Sequence, residues 1–99
     1  MVLDINEGEL KDKLKGKCLV DFYTTWCGPC KMMAPVLEEV SKEISDVAFL
    51  KIDVEDNMQA GADYGISTVP TLILFEDGVE VDRFSGFMAK EKLVDFVRN

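Results

Sequence analysis

Trp26-Cys27-Gly28-Pro29-Cys30 is the stretch that decides how this chain is read. The apolar run Cys18-Leu19-Val20-Asp21-Phe22-Tyr23 precedes it and reads as a strand that delivers Cys27 to its C-terminal edge. After it, Met33, Val36, Leu37, Val40 and Ile44 fall at helical spacing, with Glu38, Glu39, Lys42 and Glu43 outside that stripe. Cys27 is therefore expected at a helix N-terminus, where unpaired backbone N–H groups and the positive end of the helix dipole favour a thiolate over a thiol. Residues i and i+3 share a helix face, so the Cys30 sulfur can reach that of Cys27. The pattern suits a disulfide that is made and broken reversibly.

Working outward, residues 2–5 read as a short strand. Asn6 followed by Glu9 resembles a capping box that opens a first helix ending near Gly16. Residues 17–24 are apolar at nearly every position, as in a central buried strand. Pro35 lies inside the helix of residues 31–44 and is expected to kink it. Residues 47–53 read as a strand and 56–64 as a short helix closed by Gly65. Residues 71–75 and 79–84 read as a hairpin, because Asp77-Gly78 suits positive φ values. Residues 90–97 read as a last helix burying Leu93, Phe96 and Val97. The order β-α-β-α-β-α-β-β-α predicts an α/β fold: parallel βαβ units first, then an antiparallel hairpin, in a mixed sheet with helices on both faces.

A chain of 99 residues that is 47 % hydrophobic suits one compact domain with a substantial core, residues 1–99. A formal charge of −8 argues against nucleic-acid backbones and anionic membrane surfaces as partners; it serves solubility first, and steering toward basic protein patches second. No stretch approaches the roughly 20 apolar residues of a membrane span. The N-terminus has neither the basic nor the apolar part of a secretory leader, so a cytoplasmic location is expected. Three cysteines are an odd and small number for a disulfide-stapled secreted domain. Zinc in tetrahedral coordination asks for four ligands, whereas this chain has no His and only Cys18 besides the pair. Cys18 is expected to be a small buried apolar residue.

Cys27 is the candidate nucleophile and Cys30, one turn into the helix, the more buried thiol that attacks it in turn. Gly28 lets a partner backbone come close, and Pro29 supplies a first-turn residue without an N–H to satisfy. Asp21 sits in the middle of the apolar strand. It is either a proton acceptor for Cys30, its pKa raised by desolvation, or a structural acceptor for backbone donors. Pro70 in Thr68-Val69-Pro70-Thr71 fits a strand start and is a candidate for a cis peptide bond. Gly86 permits backbone approach or is a plain loop glycine.

Trp-Cys-Gly-Pro-Cys with Val20-Asp21-Phe22-Tyr23, Pro35, Ile52-Asp53, Tyr64-Gly65-Ile66, Val69-Pro70-Thr71, Phe75, Asp77-Gly78 and Ser85-Gly86, in this order and spacing, resembles the thioredoxin family over almost the whole chain. The resemblance implies the thioredoxin fold, with a sheet of about five strands, and the activity of a protein-disulfide reductase. It implies that Cys27 attacks, Cys30 resolves, Asp21 is the buried acid and Pro70 the cis-proline beside the disulfide. It further implies that Trp26, Gly28, Pro29, Val69, Pro70 and Gly86 form the apolar surface on which substrate docks. A lowered pKa of the attacking thiol is an established property of thioredoxins and comes with the resemblance. The implied partners are disulfide-containing proteins and, as electron donor, a flavin-containing thioredoxin reductase fed by NADPH, or a ferredoxin-dependent reductase in some lineages. The resemblance implies no cofactor on this chain, and nothing in it asks for more than a monomer.

Two departures stand out. A lysine common near the buried acid of bacterial members is matched by Phe49, and Lys51, two residues on, is expected to replace it only in part. Phe87 follows Gly86 where small residues are common, giving a bulkier rim. Two other readings remain at this point. An oxidant, isomerase or dedicated redox carrier is disfavoured by Gly-Pro, since oxidants and isomerases usually carry a His between the cysteines. A non-catalytic docking subunit would use the apolar rim alone.

Overall fold

The computed structural model describes residues 1–98. Strands β1 (Val2–Asp4), β2 (Lys17–Tyr23), β3 (Ala48–Asp53), β4 (Thr71–Glu76) and β5 (Val79–Ser85) form one sheet in the order β1-β3-β2-β4-β5. Helices α1 (Leu10–Lys13), α2 (Gly28–Glu43), α3 (Met58–Asp63) and α4 (Lys90–Arg98) connect or follow them. β3 runs parallel to β1 and β2, whereas β4 is antiparallel to β2 and β5. β2 is the middle strand, as its unbroken apolar run predicts.

Strand alternation splits the core into two layers. Leu19, Phe49, Leu72 and Leu74 pack against Met33, Leu37 and Val40 of α2 and Leu93 and Val97 of α4. Cys18, Val20, Phe22, Leu50, Ile52, Ile73 and Phe75 face Leu10 and Leu14 at α1 and Ala60 of α3. Each fully buried Leu, Ile or Phe contributes about 1.5–3 kcal/mol, and the layers together clamp β2 from both sides. Asp21 shares the face of Leu19, which turns it toward α2.

The hairpin turn forms as read: Asp77 has φ 50° and Gly78 φ 84°, the positive values of a two-residue turn matched to strand twist. The capping box forms reciprocally. Asn6 N donates to Glu9 Oε1 at 3.0 Å, and Glu9 N donates to Asn6 Oδ1 at 3.1 Å. It closes a turn, however, and the helix proper begins only at Leu10 and ends at Lys13. α3 is also shorter than read, starting at Met58. Pro35 lies inside α2, which continues to Glu43. In α4, Leu93 and Val97 are buried but Phe96 is half-buried at the edge of the core, a correction to the expected burial.

Candidate active site

β2 ends at Tyr23, and a short turn brings the chain to Cys27, the N-cap of α2. Cys27 and Cys30 form a disulfide with their Cα atoms 5.2 Å apart. The Cys30 backbone N–H donates to Cys27 Sγ at 3.2 Å, so a cysteine sulfur caps the helix where Ser or Asp commonly would. No acidic residue stands in the first turn of α2 to oppose negative charge on that sulfur. The expected contrast in access is small in this disulfide form: Cys27 is 6 % exposed and Cys30 4 %.

Beside the disulfide, the Val69–Pro70 peptide is cis, and Cys27 Sγ lies 3.6 Å from the Val69 carbonyl oxygen. Pro70 is buried and Val69 half-buried. Pro70 O accepts the Gly86 N–H at 2.8 Å, which joins the β5–α4 connection to the start of β4. Gly86 has φ 109°, a conformation open to glycine and rarely to other residues. Around this junction Trp26, Met32 and Phe87 are exposed, as are Gly28 and Pro29.

On the other side of Cys30 lies a cleft of about 270 Å³ lined by Asp21, Tyr23, Thr24, Cys30, Lys31 and Lys51, among others. Asp21 is 3 % exposed and its Oδ1 has no hydrogen-bond partner; buried Thr24 Oγ1 has none either. An unpartnered Oδ1 is free to take a proton, the first of the two readings of Asp21. Burial pushes the Asp21 carboxyl up to about 7, against a smaller lowering by the Lys51 charge. Lys51 is the residue opposite Asp21 in the β2–β3 ladder. Phe49, the other position considered, is buried in the apolar layer beneath α2. The cation thus comes from the register position of Asp21 itself, more directly than its sequence offset implied. Lys51 Nζ also stands 5.5 Å from the centre of the Tyr23 ring. The Tyr23 hydroxyl donates to Asp4 Oδ2 at 3.1 Å, and burial together with Asp4 raises its pKa.

The thioredoxin family model matches residues 2–99. A thioredoxin of Chlamydia caviae is 46 % identical over 82 residues, covering 83 % of this chain and 80 % of the relative. One from Staphylococcus aureus is 44 % identical over 96 residues, covering 95 % and 92 %. Among solved structures, a mutant thioredoxin from Halobacterium salinarum NRC-1 superposes with TM-score 0.91 at 38 % identity, covering 98 % of this chain and 88 % of that one.

The chain belongs to the thioredoxin family.

As a thioredoxin-family protein it is a thiol–disulfide oxidoreductase, a protein-disulfide reductase acting through the Cys27–Cys30 pair. The fold brings every predicted site residue of this thioredoxin-family chain to one end of the sheet, in two groups. Trp26, Gly28, Pro29, Val69, Pro70 and Gly86 lie about the disulfide on the open side. Asp21 stands apart from them, in the cleft behind Cys30. The sequence reading missed Thr24, whose buried hydroxyl shares that cleft, and the outer pair Tyr23 and Asp4. Only register shows these, because they come from β1, β2 and the turn after it. Cys18 is free and fully buried, its thiol donating to the Lys15 carbonyl at 3.3 Å, and burial raises its pKa. Among the described residues no group of three or more His, Cys, Asp or Glu could hold a metal ion, and no helix is long and apolar enough to cross a membrane.

Proposed function

We propose that this chain is a general protein-disulfide reductase, a single thioredoxin domain over residues 1–99, in which Cys27 attacks, Cys30 resolves and Asp21 moves the proton. In the reduced protein the Cys27 thiolate attacks one sulfur of a substrate disulfide. That S–S bond breaks, one substrate thiolate leaves and takes up a proton, and a mixed disulfide joins Cys27 to the substrate. The Asp21 carboxylate accepts the Cys30 proton. The Cys30 thiolate attacks the Cys27 sulfur, the mixed disulfide breaks, and the second substrate thiolate leaves and is protonated. The substrate is reduced by two electrons, and the protein is left with its Cys27–Cys30 disulfide.

The observation that carries this reading is the buried, unpartnered Asp21 Oδ1 in the same cleft as Cys30, behind a disulfide at a helix N-terminus. An acid with a pKa near working pH exchanges protons in both directions. Trp26, Gly28, Pro29, Val69, Pro70 and Gly86 dock the substrate, and the Val69 backbone pairs with an extended substrate segment in the manner of an added strand. The disulfide is reduced again by a thioredoxin reductase, either flavin-containing and fed by NADPH or ferredoxin-dependent. The chain works as a monomer in the reducing cytoplasm, on proteins rather than nucleic acids or membranes.

Trapping tests the assignment. Cys30→Ser is expected to accumulate a covalent adduct between Cys27 and a protein disulfide, seen by mass spectrometry of the non-reduced complex. Cys27→Ser is expected to give none. An adduct formed through Cys30 in the Cys27→Ser protein, and not through Cys27, reverses the roles.

A further inference from the structure

Met33 lies on α2, one turn beyond Cys30, and is fully buried. Its Sδ accepts a hydrogen bond from the backbone N–H of Met88 at 3.4 Å. Met88 is 1 % exposed and belongs to the connection between β5 and α4. Two residues earlier in the same connection, Gly86 N–H donates to Pro70 O. The Gly86–Met88 segment is therefore tied at both ends: to the cis-proline at the start of β4, and to the helix that carries both cysteines. Between the ties Phe87 stays exposed.

Packing alone does not call for sulfur at position 33. Leucine or isoleucine fills a comparable volume in a core of Leu37, Val40, Leu72 and Leu93. What a hydrocarbon cannot do is accept the Met88 N–H. A thioether is a weak acceptor, but donor and acceptor are both shut off from solvent, so losing the acceptor leaves a buried N–H unpaired. The Gly86–Phe87 rim would then keep the Gly86–Pro70 bond and the packing of the Met88 side chain, and lose the backbone tie that fixes its register on α2.

We propose that Met33 is a positioning residue for protein substrates. By accepting the Met88 N–H it holds the Gly86–Phe87 rim in register with the Cys27–Cys30 disulfide. This rests on the docking role assigned to Gly86 above. Met33 touches no substrate and takes no part in sulfur exchange. Its effect is confined to substrates large enough to meet the rim.

Met33→Leu keeps the site apolar and removes the acceptor. Three readings are compared with wild type: amide hydrogen exchange at Met88, KM and kcat for reduction of insulin, and the rate with the small disulfide 5,5′-dithiobis(2-nitrobenzoate). Met88 is expected to be protected in wild type and to exchange faster in the variant. KM for insulin rises about fivefold, the factor carried by a net hydrogen bond of ~1 kcal/mol. kcat for insulin and the small-disulfide rate stay at wild-type values. An unprotected Met88 amide in wild type overturns the proposal, even if the leucine chain fails to fold. Equal insulin KM in the two proteins also overturns it, as does an equal loss on both substrates, which marks a general structural defect. Failure of wild type itself to reduce insulin overturns the reductase reading and this inference together, and is told apart by appearing before any substitution is made.

Discussion

Asp21 and Lys51 stand opposite each other in the parallel ladder between β2 and β3, and both line the cleft behind Cys30. They form no direct ion pair, yet the Lys51 charge is the one attraction that offsets the desolvation of Asp21. Desolvation wins, so the acid is held up at about 7 and not near its ordinary 3.8. A charged partner at this position limits how far burial can raise the acid, and so sets the pH at which it accepts a proton.

Removing that charge moves the acid further. Lys51→Met leaves desolvation without its opposing attraction, so the Asp21 pKa is expected to rise above about 7, and Lys51→Arg to restore it. A ¹³C carboxyl titration of the oxidised protein reads this directly. An Asp21 midpoint unchanged in Lys51→Met removes Lys51 from the account.

The raised pKa also fixes the pH dependence of stability. The folded acid binds its proton more tightly than the unfolded one, so ionising it costs stability. The cost is absent below the unfolded value of 3.8, grows between there and about 7, and is complete above. Asp21→Asn, which cannot ionise, is expected to gain on wild type across that window, by up to about 4 kcal/mol at pH 8. Urea denaturation at pH 4 and pH 8 checks it; a stability difference equal at both pH values would show an ordinary acid. The same variant is expected to slow protein-disulfide reduction.

Trp26 offers the opposite separation, function without stability. Its side chain is 65 % exposed, so Trp26→Ala is expected to change stability by no more than about 0.5 kcal/mol. KM for a protein disulfide is expected to rise several-fold, as the docking role proposed for this exposed aromatic requires. Thermal melting and insulin kinetics test the two halves. An unchanged KM removes Trp26 from the docking surface.

Asn57 is the reverse case. It is buried; its Oδ1 accepts the Glu7 N–H at 2.9 Å, and its Nδ2 donates to the Asp53 carbonyl at 2.9 Å. It thus pins the loop after β1 to the end of β3. Asn57→Ala strands both partners and is expected to cost about 1–3 kcal/mol by urea denaturation. A loss below that range would mean that water reaches the freed groups.

Much of this is legible in the chain itself. The turn at Asp77-Gly78 is readable because few residues tolerate positive φ, and the seat of Cys27 because apolar periodicity changes from strand to helix around it. The short helices are shorter than their sequence pattern implies. The Asn6–Glu9 box satisfies backbone groups equally well in a turn, and a segment of such length gains its helicity from packing, which the sequence does not display. Periodicity places Phe96 in the core, but the structure leaves it at the core's edge, where packing covers only part of the ring.

The redox pair, its place at a helix start, the alternation of the strands and the identity of the buried acid are all readable from the chain, because they depend on residue types at short spacing. Only the folded sheet sets Lys51 directly opposite Asp21, puts Thr24 in the same cleft and makes the bonds that hold the rim. Lys51 meets Asp21 through strand register, Val69 meets Cys27 across 42 residues, and Met33 meets Met88 across 55. Such contacts depend on how strands align and layers close over the whole chain, and no local pattern encodes them.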